Sequence, residues 1–265
     1  MVDGGHIRFD AQPIVEFATS RIIAHEMFVR VDEFGAPTPH ELLHLAQRYG
    51  LRNELEARAI QMIRQLHELR PANSLTTLNV SWSECCSARV REVLEGDLDE
   101  LVIELGGTPP EADALSNVVD QLAELRECGA RIAVDWDGGG VQALDLLDRL
   151  RPDFVKIKQS LTRRVVGSDA ASHDVAMIVR YASSIGAFSL AEGIEHGEEL
   201  SALIRIGVDL GQGWHIGRPA QGVHELEEPL VSSIRTQVEV TSHEGVVAAL
   251  VHPSDFVLPG DFPHA

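Results

Sequence analysis

Polar residues that end apolar runs are the part of this sequence able to do chemistry. Glu26 lies in Ile23-Ala-His-Glu-Met-Phe, Asn79 in Leu78-Asn-Val-Ser, Glu104 in Val102-Ile-Glu-Leu and Asp135 in Ile132-Ala-Val-Asp-Trp-Asp. Lys156 and Lys158 follow in Phe154-Val-Lys-Ile-Lys, then Glu192 and Glu195 in Leu190-Ala-Glu-Gly-Ile-Glu, then Gln212. Carboxylates with an amide form a hard-oxygen set, suited to Mg²⁺ or Mn²⁺ rather than zinc. A divalent cation would also relieve the repulsion among Glu26, Glu104 and Asp135. A single carboxylate at a strand end is commonly a helix cap or a solvated loop residue. Four strands ending this way together, with a lysine on a fifth, point instead to a site.

Other chemistries find less support. His25, beside Glu26, falls on the opposite face of a strand, where packing is the expected role. No Gly-x-Ser-x-Gly elbow is present, and no Gly-x-Gly-x-x-Gly or Walker-type glycine loop, so a serine hydrolase and a glycine-loop nucleotide site are not indicated. Cys85 and Cys86 lie past the strand that carries Asn79 and read as structural thiols.

The elements that must position these groups follow from apolar periodicity. Strands are expected over 9–17, 21–31, 76–82, 101–105, 131–135, 154–158, 188–191 and 210–216. Helices are expected over 40–49, 54–69, 112–128, 141–150, 170–185 and 198–206. In the second helix Leu55, Ala59, Ile60, Ile63 and Leu66 share one face. Only Ala18 to Ser20 separates the first two strands, which predicts an antiparallel hairpin. The remaining strands alternate with helices, the pattern of a mostly parallel sheet, and their number suits a (β/α)₈ barrel. The fold class expected is therefore α/β, a modified barrel over residues 1–220 with a short C-terminal appendage over 221–265. Within that appendage, 225–237 reads as a helix, 238–240 and 246–251 as short strands, and Pro253, Pro259 and Pro263 as breakers.

Composition narrows the partners. The 265 residues hold 22 Lys plus Arg against 41 Asp plus Glu, a formal charge of −19, which disfavours a nucleic-acid polymer. No run of about 18 apolar residues exists, so no membrane span is expected. The polar stretch from Met1 to Asp10 lacks the apolar segment of a secretory leader. Three cysteines cannot build a disulfide framework, and a reducing cytoplasm is the expected setting.

Eight segments together resemble the EAL domain family. They are Ala11-Gln-Pro-Ile-Val, Ile23-Ala-His-Glu-Met-Phe-Val-Arg30, Leu78-Asn-Val-Ser81, Val102-Ile-Glu-Leu105, Ala133-Val-Asp-Trp-Asp-Gly138, Phe154-Val-Lys-Ile-Lys158, Ala191-Glu-Gly-Ile-Glu195 and Gln212-Gly-Trp214. Their order and spacing match the family over about residues 8 to 220. The resemblance implies a barrel whose first strand runs antiparallel, and hydrolysis of cyclic di-GMP to pGpG with two Mg²⁺ or Mn²⁺ ions. By the same likeness Glu26, Asn79, Glu104 and Asp135 would hold the first metal. Lys156 would sit beside the attacking water, Glu192 would act as general base, and Glu195 would fix the metal loop. Gln12, Arg30 and Gln212 match positions that contact the dinucleotide.

Three departures bear on activity. The family's second Asp, a ligand of the second metal, is Trp136, whose indole offers one N–H and no acceptor. Asp137 comes one residue late and would point the other way unless the strand bulges. Lys158 stands where the family has an acid, and Gly107 where it has a loop glutamate. These changes lead to the expectation of a degenerate member that holds one ion or none and binds cyclic di-GMP or a protein partner without efficient turnover. Two alternatives stand beside it: a working phosphodiesterase with Asp137 as substitute ligand, and an interaction scaffold blind to the nucleotide. Trp136 itself reads either as packing at the barrel mouth or as a ligand-stacking group. A homodimer is allowed by the resemblance.

Overall fold

Both faces of Ile7–Glu16 (β1) are buried over 9–15 and of Arg21–Val31 (β2) over 23–26, and the tight turn between them sets an antiparallel pair. The computed structural model describes residues 7–31, 38–67, 74–136, 140–222 and 225–243. Parallel strands follow at Leu75–Ser81 (β3), Leu101–Gly106 (β4), Arg131–Trp136 (β5), Phe154–Ile157 (β6), Phe188–Ala191 (β7) and Leu210–Gly211 (β8). They close into a barrel in sequence order, with β1 antiparallel to both of its neighbours. The barrel and its reversed first strand are those expected.

The helices in chain order are Pro39–Arg48 (α1), Arg52–His67 (α2), Ala88–Val93 (α3), Ala112–Glu127 (α4), Gly140–Leu150 (α5), Gln159–Thr162 (α6), Asp169–Ser184 (α7), Gly197–Ile206 (α8) and Glu228–His243 (α9). Strand alternation sorts the apolar residues into two cores. One fills the barrel: Ile14, Ala24, Leu75, Val102, Ala133, Phe154, Phe188, Leu190 and Leu210 belong to it, with the Phe154 and Phe188 rings stacked 6.0 Å apart. The other joins the outer strand faces to the helices, from Leu78, Ile103, Val134 and Val155 to Ile60, Leu122, Leu147, Ile178 and Leu203. Burying each such side chain contributes about 1.5–3 kcal/mol relative to leaving it in water. The apolar filling stops part-way along the strands, and the next inward positions are polar. That change builds the site.

Some elements differ from expectation. β8 ends at Gly211 instead of running to Ile216, because the chain turns sharply around Gly213, where any Cβ would overlap the Ile194 backbone. Val238 to Val240 lie within α9 and not in a strand; the helix packs on α8 and buries Ile234 and Thr241, and that packing overrides local β propensity. The short helices α3 and α6 carry too little periodicity to be read from sequence. The expected strand over 246–251, the three late prolines, Asp137, Gly138 and Gly139 lie outside the described residues. No helix among the described residues is long and apolar enough to cross a membrane.

Candidate functional site

Strands β2 to β8 each deliver one inward side chain to the same mouth of the barrel. Glu26 comes from β2, Asn79 from β3, Glu104 from β4, Asp135 from β5 and Lys156 from β6; Glu192 directly follows β7 and Gln212 directly follows β8. Parity explains the selection: Val102, Ala133, Phe154 and Leu190 fill the barrel, and Glu104, Asp135, Lys156 and Glu192 lie two residues further along.

Lys156 is the hub. Its fully buried ammonium donates to Glu26 Oε2 at 3.2 Å and to Glu104, and is paired with Glu192 Oε1 at 2.8 Å. Ligand oxygens of Glu26, Glu104 and Glu192 all lie within 4.8 Å of one another. Asn79 Nδ2 donates to Glu26 Oε1 at 3.1 Å and Gln212 Nε2 to Glu26 Oε2 at 2.9 Å. Gln212 Nε2 also reaches Gln12 Oε1 at 3.0 Å, and Gln12 donates to the Gly217 carbonyl at 2.8 Å. Lys156 and Lys158 are the chain's only two lysines, against 20 arginines. Both stand in this mouth.

The electrostatics follow from burial and these partners. Burial would lower the Lys156 pKa, yet the charges of Glu104, Glu192 and Glu26 outweigh it and hold the ammonium well above its usual range. Burial, with the neighbouring Glu26 charge, pushes the Glu104 carboxyl well up despite Lys156. Burial also raises Glu192, against the pull of Lys156. Burial opposes ionisation of Glu26 too, but Lys156 and the bonds from Asn79 and Gln212 bring that carboxyl below its ordinary value. Three carboxyl groups around one ammonium crowd negative charge together, which adds to burial in pushing the Glu104 and Glu192 carboxyls up.

That donor set fits one hard divalent cation: three carboxylates converge, and Asn79 and Asp135 flank them on adjacent strands. Lys158 Nζ lies 3.8 Å from Asp135 Oδ2, so a second positive charge stands beside this cluster. The Trp136 side chain, 2% exposed, packs in the outer core, and its Nε1 has no hydrogen-bond partner among the described residues. The indole is thus a packing residue, though among the helices and not at the mouth, and its burial there corrects the ligand-stacking reading. Its strand parity faces the helices, opposite to Asp135.

The other expected residues are accounted for individually. Glu195 accepts from Gln159 Nε2 at 3.0 Å and pairs with Arg163. Arg30 donates to Asp10 Oδ2 at 3.0 Å and lies over the Phe28 ring, 5.4 Å from its centroid. Gly107 follows β4 at φ +89, exposed, a backbone in which a glutamate would be strained. His25 is buried, its Nδ1 3.1 Å from Ser74 Oγ, in keeping with packing. Cys85 is buried and its thiol is pushed up to about 12, chiefly by burial, which disfavours the reactive thiolate.

A cleft of about 210 Å³ opens above this cluster, lined by Glu26, Gln12, Gln212, Glu192 and Glu195 and by Phe28, Gln159 and Trp214. Sequence reasoning gave Phe28, Gln159 and Arg163 no role; only adjacency to Met27, Lys158 and α6 could have raised them. It also passes over His40-Glu-Leu-Leu-His44, a spacing found in zinc peptidases. In α1 that Glu41 is tied up as a helix cap, its carboxylate accepting from the Thr38 N–H and hydroxyl at 2.8 Å.

Known proteins resemble this chain in sequence and in fold. The family model described as EAL domain matches residues 1–219. The cyclic di-GMP phosphodiesterase PdeF of Escherichia coli is 27% identical over 86% of this chain, which covers 32% of PdeF. The blue light- and temperature-regulated antirepressor BluF of the same organism is 26% identical, over 77% of this chain and 52% of BluF. The chain thus spans less than two thirds of either relative. Among solved structures, the manganese and cyclic di-GMP complex of Klebsiella pneumoniae BlrP1 superposes with a TM-score of 0.71 at 26% identity, covering 84% of this chain and 58% of that one. A family match across most of the sequence, a closed barrel with a reversed first strand and a carboxylate cluster at its mouth agree: this chain belongs to the EAL domain family.

Proposed function

We propose that this chain is a degenerate EAL domain that binds cyclic di-GMP at the barrel mouth, holds at most one Mg²⁺ or Mn²⁺ ion, and turns the nucleotide over very slowly or not at all. The observation that carries this reading is the Lys158 ammonium, 3.8 Å from Asp135 Oδ2. A fixed positive charge there repels a second cation. Loss of one ion from a two-metal clamp removes stabilisation from either the attacking or the leaving oxygen of the phosphodiester. The outward indole of Trp136 supports the same reading.

Glu26, Asn79, Glu104 and Asp135 would hold the remaining ion, which when bound would supply charge to a phosphate oxygen. Gln12, Gln212 and Arg30 would orient the dinucleotide, and Glu195 with Arg163 and Gln159 would steady the loop after β7. Glu192 is raised by burial and stands within reach of Lys156, so it would accept a proton in any residual turnover. The barrel over 1–220 acts as one unit, with 221–265 as an extension anchored by α9. A protein partner and a cytoplasmic setting belong to this reading, and one relative, BluF, is named an antirepressor.

An active phosphodiesterase is the second reading, favoured by the intact Glu26, Glu104, Lys156 and Glu192 constellation and by the name of PdeF. Calorimetric titration with cyclic di-GMP in Ca²⁺, followed by pGpG analysis in Mg²⁺ and Mn²⁺, separates the two. The degenerate reading expects binding heat with little or no pGpG, and a Lys158→Asp variant with raised cation affinity. Rapid pGpG formation that disappears in Glu26→Ala would overturn it.

A further inference from the structure

The turn after β8 presents the one exposed tryptophan of the chain. Trp82 and Trp136 are 5% and 2% exposed, whereas Trp214 is 55% exposed and lines the cleft. Its position is fixed by the backbone: Ile194 N–H donates to Gln212 O at 3.0 Å, His215 N–H to Ile194 O at 2.9 Å and Gly217 N–H to Gly213 O at 2.9 Å. Gly213 is wedged against Ile194 so closely that no side chain fits there. A large apolar surface held rigidly in water and facing a cleft is a cost to the free protein unless something covers it.

Arg218 lies over this indole, its guanidinium carbon 4.4 Å from the ring centroid. Most of the charge around the mouth is acidic, so an anionic ligand entering here meets carboxylates from Glu26, Glu192 and Glu195. Arg218 offers the opposite charge at the rim. The two groups together suit a ligand that has both a flat aromatic base and a phosphate: the indole offers a stacking face, and the guanidinium a phosphate contact.

We propose that Trp214 and Arg218 form a rim platform on which one guanine of the dinucleotide stacks while its phosphate meets the guanidinium. This rests on the cyclic di-GMP reading above and adds a recognition element separate from the carboxylate cluster. The platform contributes affinity and selects a purine ring without taking part in bond breaking. Trp214 and Arg218 are ligand-binding residues.

Tryptophan emission tests this directly, because iodide reaches Trp214 and not the two buried indoles. Saturating cyclic di-GMP in Ca²⁺ should protect the protein from iodide quenching, with Trp214→Phe as the spectroscopic blank. By calorimetry Trp214→Ala should bind about tenfold more weakly or worse, with Trp214→Phe recovering most of the loss. Arg218→Ala should bind more weakly and show a shallower salt dependence. Unchanged melting temperatures of these surface variants would establish that folding is intact. If the wild type binds and Trp214→Ala binds equally well, or the ligand leaves iodide access unchanged, the platform is wrong and the nucleotide reading survives. No heat in the wild type overturns both.

Discussion

Replacing Lys156 by Met removes the one cation that, among the described residues, touches the buried Glu26 and Glu104 and the half-buried Glu192, while keeping most of the side-chain volume. Ligand oxygens of Glu26, Glu104 and Glu192 lie within 4.8 Å of each other. At an effective dielectric of about 20, each charged pair then repels by about 3.5 kcal/mol or more. Three such pairs cannot all remain ionised, so the variant should take up a proton on folding. A carboxyl pKa raised in the folded state means that the native protein holds the extra proton, so stability is greatest at low pH and is lost as pH rises. The slope is about 1.4 kcal/mol per pH unit for one proton, or about 2.7 kcal/mol between pH 5 and pH 7. Breaking a buried ion pair from one side costs about 3–5 kcal/mol in general, which sets the expected loss near neutral pH in chelator. Urea unfolding of both proteins in EDTA, at several pH values, measures it. Added Ca²⁺ or Mn²⁺ should recover more stability in the variant than in the wild type, because a divalent cation replaces the missing charge. A variant as stable as wild type at pH 8, with no steeper pH slope and no larger cation effect, would refute the ammonium as the countercharge of this cluster.

Further outcomes follow from the same geometry. Lys158→Asp reverses a half-exposed charge beside Asp135; at 3.8 Å in near-aqueous dielectric each charge is worth about 1 kcal/mol, so cation affinity should rise roughly tenfold or more by terbium luminescence. Reductive methylation with labelled formaldehyde should modify Lys158 and leave the buried Lys156 untouched in the folded protein, read by peptide mass mapping. Disulfide exchange with a chromogenic reagent at pH 8 should titrate the exposed Cys128 first and spare Cys85 until the chain unfolds. Gly213→Ala should lower the melting temperature by several degrees, since its Cβ would strike the Ile194 backbone.

Most of the barrel was legible because inward and outward faces alternate along strands, so apolar runs such as Ile132-Ala-Val mark both element and direction. The site was legible for the same reason. Glu26, Glu104, Asp135 and Lys156 each continue the inward parity of their strand, and the structure brings them to one mouth. What was hidden depends on closure. Lys156 as shared partner of Glu26, Glu104 and Glu192 needs strands 52 and 130 residues apart to meet it. The parity of Trp136 was legible in principle, since it follows the inward Asp135, but family likeness drew attention to its identity instead of its direction. Helix α3 begins at a Ser87 side chain that accepts from the Val90 N–H, too local a signal to stand out among serines. The end of β8 was misplaced because Gly213 meets Ile194 only in the folded turn.

The barrel is sealed where β1 meets β8, through Val15 opposite Gly211 and Glu16 opposite Leu210, with Phe17 N–H donating to Asp209 O at 3.0 Å on one side and Ala11 and Ala220 bridged on the other. Those partners are about 200 residues apart, and Gln212 reaches across that seam to both Gln12 and Glu26. During synthesis, then, Glu26 leaves the ribosome long before its neighbour exists, and the nascent chain carries no mouth until residue 220 is free. The site is complete only when that seam is closed, and a ligand that spans it would act as its latch.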